Sequence, residues 1–297
     1  MAEKKFYFKD KYWLYVFLLP TVIALLLLTI VPMLYTLQLT FFDWNLITPN
    51  SRYQFIGFRN YIDVLTDRTF HNSMWVSFRY SFFSVIGTIV IGMIMALIFF
   101  KNLPGSLIVR TLVISAMVIS PVIVGTMFRL MLNPGWGFIS WLLSLVGIEN
   151  PGFLAQSHTV LPTLILIDIW QWSPLVMVIV LAALQGLPLD VYEASKVDGA
   201  NFLQSFLHIT LPLLKPSLLL ALLIRTMDSL RTFDLIFAMT QGGPGTASQN
   251  VNLYMYNVGF EFYRMSRAST MAVILLIVIL LISNLIIKLF GGGELYK

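Results

Sequence analysis

The chain has 297 residues, 58% of them hydrophobic and only 11% charged; a soluble globule of that composition would expose much of its apolar surface, so the bilayer is its solvent. It contains no cysteine, which excludes disulfides, thiolate zinc sites and cysteine nucleophiles. The formal net charge of +5 is scattered rather than gathered on one predicted face, and membrane topology explains it better than nucleic-acid binding.

Apolar runs long enough to cross roughly 30 Å of hydrocarbon predict an all-α polytopic membrane protein with six spans, at 14–40, 75–100, 107–131, 160–186, 216–240 and 268–290. Lys4, Lys5, Lys9 and Lys11 precede the first run as they would in a signal peptide. That run is too long, however, and lacks a small-residue cleavage site, so it reads as a retained span. Residues 1–13 are then a cytoplasmic segment and 14–297 a single transmembrane domain. With the N-terminus inside, all nine lysines and Arg110 are cytoplasmic, against five external arginines (Arg52, Arg59, Arg68, Arg264 and Arg267). The reversed topology would violate the positive-inside rule. The external segments, 43–73, 132–159 and 241–267, are rich in Trp, Gly, Pro and Asn.

The fourth span carries Asp168, Trp170, Gln171 and Trp172 about ten residues in, near the bilayer midplane rather than at the headgroups. They read either as an aromatic anchor with one satisfied acid, or as a solute contact. Flat rings beside amide and carboxylate groups suit a sugar, which offers C–H patches and hydroxyls.

Between the fourth and fifth spans, residues 188–215 form a polar loop. Asp190 and Glu193 have capping-box spacing and predict a short helix. Asp198 and Gly199 end it, Asn201 and Gln204 start a second, and Pro212 is expected to stop that one. Val191, Ala194 and Val197, then Phe202, Phe206 and Ile209, give each helix an apolar stripe. Such stripes suit a partner's groove or a loop folded back on its own protein. In the fifth span Arg225, Asp228, Arg231 and Asp234 alternate in sign at three-residue spacing, which permits pairing along one helix while leaving a face for a cavity. Beyond it, Gln241-Gly242-Gly243-Pro244-Gly245 reads as a tight turn.

The run EASKVDGANFLQSFLHITLP resembles the "EAA" loop of the membrane subunits of binding-protein-dependent ABC importers. Its fixed places are held by Glu193, Ala194, Ser195, Gly199, Ile209, Leu211 and Pro212, with Ser195 standing where Ala is usual. FDLIFAMTQGGPG (Phe233 to Gly245) and RLMLNPGWGF (Arg129 to Phe138) are similar to segments of carbohydrate-type, maltose/oligosaccharide-like permeases. The resemblance implies the type I importer permease fold and a coupling helix, including Glu193, Ala194, Ser195, Asp198 and Gly199, that docks on an ATPase subunit. It also implies a pathway between two related permease subunits, in carbohydrate importers commonly a heterodimer, fed by an extracytoplasmic solute-binding protein at the cytoplasmic membrane.

No Gly-Lys dipeptide occurs, so no Walker A loop is present. ATP and Mg²⁺ are therefore expected on two separate ATPase subunits, with no cofactor in this chain and no enzymatic constellation of its own. His71, His158 and His208 are too far apart to suggest a metal site. The expected pathway residues are Asp168, Trp170, Gln171, Trp172, Arg225, Asp228 and Arg231. Nine arginines within the spans or outside meet eight acids there, an excess of one that puts a neutral sugar ahead of an acidic one such as a uronate or sugar phosphate. A secondary transporter is the other class considered; it would carry internal repeats and ion-coordinating broken helices, and no clear repeat is seen. The GGGELYK tail is assigned no function.

Overall fold

The computed structural model describes residues 8–48, 54–101, 104–148 and 152–290. Residues 1–7, Arg52, Glu149 and the tail from Gly291 to Lys297 lie outside the described residues. The helices in chain order are α1 (Phe8–Leu25), α2 (Val31–Leu39), α3 (Arg59–Leu65), α4 (Arg68–Phe100), α5 (Ser106–Val118), α6 (Pro121–Met131) and α7 (Phe138–Ser144). They continue with α8 (Val160–Gln185), α9 (Leu189–Val197), α10 (Phe202–Ser205), α11 (Leu211–Leu230), α12 (Asp234–Met239), α13 (Val251–Tyr256) and α14 (Met265–Phe290). Among the described residues five helical runs are long and apolar enough to cross a membrane, and the bent α5–α6 pair makes a sixth.

The chain divides into two compact units. The first comprises the described residues up to Asp67 together with 255–274. In it β1 (Phe42–Asp43) pairs antiparallel with β2 (Gln54–Phe55), Phe42 opposite Phe55. The Asn60 amide donates to the Thr40 and Phe42 carbonyls at 2.8 and 2.9 Å. Arg267 pairs with Asp67 at 2.6 Å, and the Trp44 N–H donates to Ser266 Oγ at 3.0 Å. These bonds hold the segment after α2 against the start of α14.

The second unit, the described residues from Arg68 to Tyr254 and from Leu275 to Phe290, is built on α4 packed along α8. Small residues allow the close approach: a Cβ on Gly92 would lie 2.5 Å from Val176 Cβ and 2.9 Å from the Ser173 carbonyl. One apolar cluster joins Met93, Ala96 and Phe99 of α4 to Val176, Val180 and Leu184 of α8 and Leu214 of α11. Another joins Val76 and Tyr80 to Leu164 and Ile167 and to Leu235 and Ile236 of α12. With no hydrophobic drive between helices in lipid, small residues and side-chain hydrogen bonds favour such contacts. The buried polar stripe Ser73, Ser77, Ser81, Ser84 and Thr88 on α4 has that character, and Ser81 accepts from Ser229 of α11 at 3.0 Å.

Three expectations need correction. The third span is not one straight helix: α5 and α6 meet at 101°. Ile119 and Ser120 are extended there, because the residue before Pro121 is pushed away from helical geometry. Pro212 does not stop the helix it enters. A π-turn over Phe206–Thr210 shifts the bonding register, with Leu211 N–H donating to the Phe206 carbonyl, and Pro212 sits in the first turn of α11, where its missing N–H costs little. The fifth span ends at Leu230, not at residue 240. Asn252 Nδ2 donates to the Leu230 carbonyl at 2.8 Å, and Asp234 begins a separate helix.

Candidate functional site

Asp168, Gln171 and Trp172 stand three and four residues apart on α8 and therefore share a face. Around them Arg225, fully buried, is the hub of a charged cluster. Its Nη2 donates to Asp168 Oδ2 and its Nη1 to Asp228 Oδ2, both at 2.6 Å. Nε points to Thr88 Oγ1 at 3.5 Å, and the guanidinium lies 5.3 Å from the centre of the Trp172 ring. An Arg fork with a partner at each nitrogen is how a charge is held away from lipid and water. Asp168 is as buried as its partner, whereas the Asp228 side chain is 48% exposed.

The cluster opens into a cavity of about 130 Å³. Its walls are Pro121 at the α5–α6 bend, Asp168, Gln171 and Trp172 of α8, Asp228 of α11 and the turn from Arg231 to Leu235. Six of the seven expected pathway residues thus come together. Trp170 does not. It is about 200° round the helix from Asp168, and its ring packs edge-on against Phe128 at 5.2 Å. The expected alternating ladder on the fifth span is also only half formed. Arg225 pairs with Asp228, but among the described residues no ion pair joins Arg231 to Asp228 or Asp234, because the helix ends between them.

Sequence reading missed the contribution of α4. Tyr80 and Ser84 border the Asp168 carboxylate, and Thr88 meets Arg225. The signal was present as small polar residues every three or four positions in an otherwise apolar helix.

A second cavity, about 360 Å³, lies between Arg129, Asn133, Pro134, the 152–155 loop, Thr240 and the Gly243-Pro244 turn. The two segments singled out at 129–138 and 233–245 therefore line one space.

The 188–215 loop folds as a compact helical hairpin. Gly199 has φ +76° and follows α9 as its left-handed C-terminal residue. Its N–H donates to the Lys196 carbonyl at 3.1 Å and that of Ala200 to the Ser195 carbonyl at 3.0 Å, the paired bonds of a Schellman motif. Asn201 and Gln204 form the expected capping box, at 2.8 and 2.9 Å. The box expected at Asp190 and Glu193 is not formed. Pro188 occupies the N-cap position, so Asp190 falls in the first turn, where its charge suits the helix dipole. Tyr192 bonds Thr210 at 3.0 Å and closes the hairpin. Ser195 is buried against Tyr192 and Ser205, which explains why a small residue suits that place. Glu193, Ala194, Asp198 and Gly199 are exposed. So are Val197 (87%), Phe202 (71%) and Leu203 (61%), an apolar patch around a polar turn.

A long-helix bundle with a bent span, a buried charged cluster and an exposed helical loop defines a multi-pass membrane protein. Residues 88–292 match the family of binding-protein-dependent transport system inner membrane components, and the chain belongs to it. It is 35% identical over 243 residues, 82% of each chain, to the trehalose/maltose transport system permease protein MalF of Thermococcus litoralis. It is 31% identical to the trehalose transport system permease protein SugA of Mycobacterium tuberculosis, over 93% of this chain and 89% of that one. Its fold matches a subunit of a bacterial ABC transporter involved in the import of the acidic polysaccharide alginate, with TM-score 0.85, 25% identity and coverage of 96% and 97%. The type I importer permease fold and the role of a non-enzymatic permease subunit follow.

Proposed function

We propose that this chain carries a sugar or oligosaccharide across the cytoplasmic membrane, N-terminus inside, beside a second, homologous permease subunit. An extracytoplasmic binding protein delivers the solute, and two ATPase subunits, holding ATP and Mg²⁺, supply the energy. The observation that carries this reading is the capped hairpin, whose exposed Val197, Phe202 and Leu203 surround the Gly199 turn. Apolar side chains held out on a turn closed by a Schellman motif and a capping box fit a protein groove better than water. Glu193, Ala194, Ser195, Asp198 and Gly199 belong to this coupling element, and Asp168, Gln171, Trp172, Arg225, Asp228 and Arg231 to the solute path. The trehalose and maltose relatives support the carbohydrate class.

Purification of the intact complex, with its subunits identified by mass, tests the reading. An ATPase chain and a second permease should co-purify, and a membrane-impermeant amine reagent should reach Lys101, Lys196 and Lys288 only from the cytoplasmic side. Isolation of the chain without any ATPase, or labelling of Lys196 in intact spheroplasts, would overturn it.

A further inference from the structure

The charged cavity has an uneven hydrogen-bonding capacity. Gln171 is fully buried; its Nε2 donates to the Ile119 carbonyl at 2.9 Å, while its Oε1 has no partner. Asp228 spends Oδ2 on Arg225, and among the described residues Oδ1 has none. Both residues line the cavity. The buried Gln171 Oε1 costs free energy unless a donor meets it, whereas Asp228, half exposed, holds its Oδ1 open to whatever enters the cavity. Arg225 is a poor partner for an incoming anion, because it is fully buried and each of its three nitrogens already donates, to Asp168, Asp228 or Thr88. Counting Arg225, the site has three carboxylates, Asp168, Asp228 and Asp234, against two guanidiniums, Arg225 and Arg231.

Resting on the sugar-permease reading, we propose that Gln171 and Asp228 are the specificity-determining pair of the pathway. They are two acceptors that take hydroxyl donors from one edge of a neutral sugar unit and reject uronates. The volume, about four waters' worth, suits one hydroxylated edge rather than a whole oligosaccharide. A hydroxyl can donate to Gln171 Oε1 and Asp228 Oδ1; a carboxylate has no proton to give and meets a site with one more carboxylate than guanidinium. This places the chain apart in selectivity from the alginate importer whose fold it shares.

The test uses the full complex with its binding protein in proteoliposomes. Uptake of neutral trisaccharides (gluco-, galacto- and xylo-) is compared with that of trigalacturonate, normalised to assembled complex. The wild type should favour a neutral solute. Asp228→Asn and Gln171→Leu should each lower the neutral-to-uronate ratio by about tenfold, and Asp228→Glu should restore it. A folding defect scales both uptakes and leaves the ratio unchanged. Saturation-transfer NMR on the complex without its binding protein should give the same order of solutes, which isolates the permease from the binding protein's own preference. Uronate uptake equal to the neutral, or a ratio unmoved in both variants, overturns the pair while the permease reading stands. Import of none of these sugars by a complex that hydrolyses ATP overturns the sugar reading itself.

Discussion

Arg225 of α11 places Nη2 2.6 Å from Oδ2 of Asp168 on α8, across 57 positions of sequence, with both side chains withdrawn from solvent. An ion pair so buried is weak evidence for net stability, since desolvation offsets much of its attraction. Its effect is on register. The Arg225–Asp228 pair lies within α11, so it is the bond to Asp168 that ties the rotation of α11 to α8, and in that arrangement Asp228 lines the cavity.

The first prediction follows from that pairing. Asp168→Leu strands part of a buried guanidinium and should destabilise the complex by up to about 3–5 kcal/mol, with Asp228 limiting the loss. The double variant Asp168→Leu/Arg225→Met removes both charges and should recover much of it. Thermal unfolding of the purified complex in detergent measures both, with Arg225→Met alone completing the cycle, and a double-variant loss equal to the sum of the two single losses would show no coupling.

Close packing of α4 on α8 gives the second. At Gly92 a new Cβ meets Val176 Cβ at 2.5 Å and the fixed Ser173 carbonyl at 2.9 Å, so Gly92→Ala must push the helices apart, at about 1–3 kcal/mol. At Gly87 the Cβ meets only the Ile169 side chain, which can rotate away. Gly92→Ala should therefore reduce complex yield more than Gly87→Ala does.

Much of this architecture was legible in the residues, for physical reasons that also mark where reading stopped. Hydropathy locates α4, α8 and α14 because lipid forces every backbone group into a helix of bilayer length. It cannot see the 101° bend at Ile119–Ser120, since both arms are equally apolar and only Pro121 signals the break. Asp168, Gln171 and Trp172 stood out as polar groups at membrane depth, and their shared face follows from helical spacing. Trp170 was grouped with them by adjacency in sequence, which a helix separates. Thr88 and Ser84 escaped notice because small hydroxyls are cheap in apolar helices, and only the partner opposite reveals their use. The Asn201 capping box was read correctly, whereas Asp190 was misassigned because the preceding Pro188 already supplies the extended N-cap.

That box supports a third prediction. Asn201→Ala removes the acceptor for the Gln204 N–H and should loosen α10 by about 1 kcal/mol. Amide exchange through residues 202–206 should speed up roughly fivefold, with the core of α8 unaffected. Unchanged exchange would mean that the Tyr192–Thr210 bond alone holds the hairpin.

The fourth prediction concerns the turn between the two short helices. Gly199 has φ +76°, and a Cβ there would meet nothing within 4 Å, so a substitution is opposed by backbone strain and not by a clash. A left-handed conformation costs an ordinary L-residue about 1–2 kcal/mol, and Asn pays least among non-glycine residues. Gly199→Asn should thus keep the hairpin, while Gly199→Leu should shift it and also set a bulky side chain on the exposed surface beside Val197. If this surface docks on the ATPase, Gly199→Leu should lose ATPase co-purification and ATP-driven uptake, and Gly199→Asn should retain most of both. Full uptake by Gly199→Leu in a normally assembled complex would remove the turn from the coupling interface, whereas equal loss in both variants would point to a surface that tolerates no side chain at all.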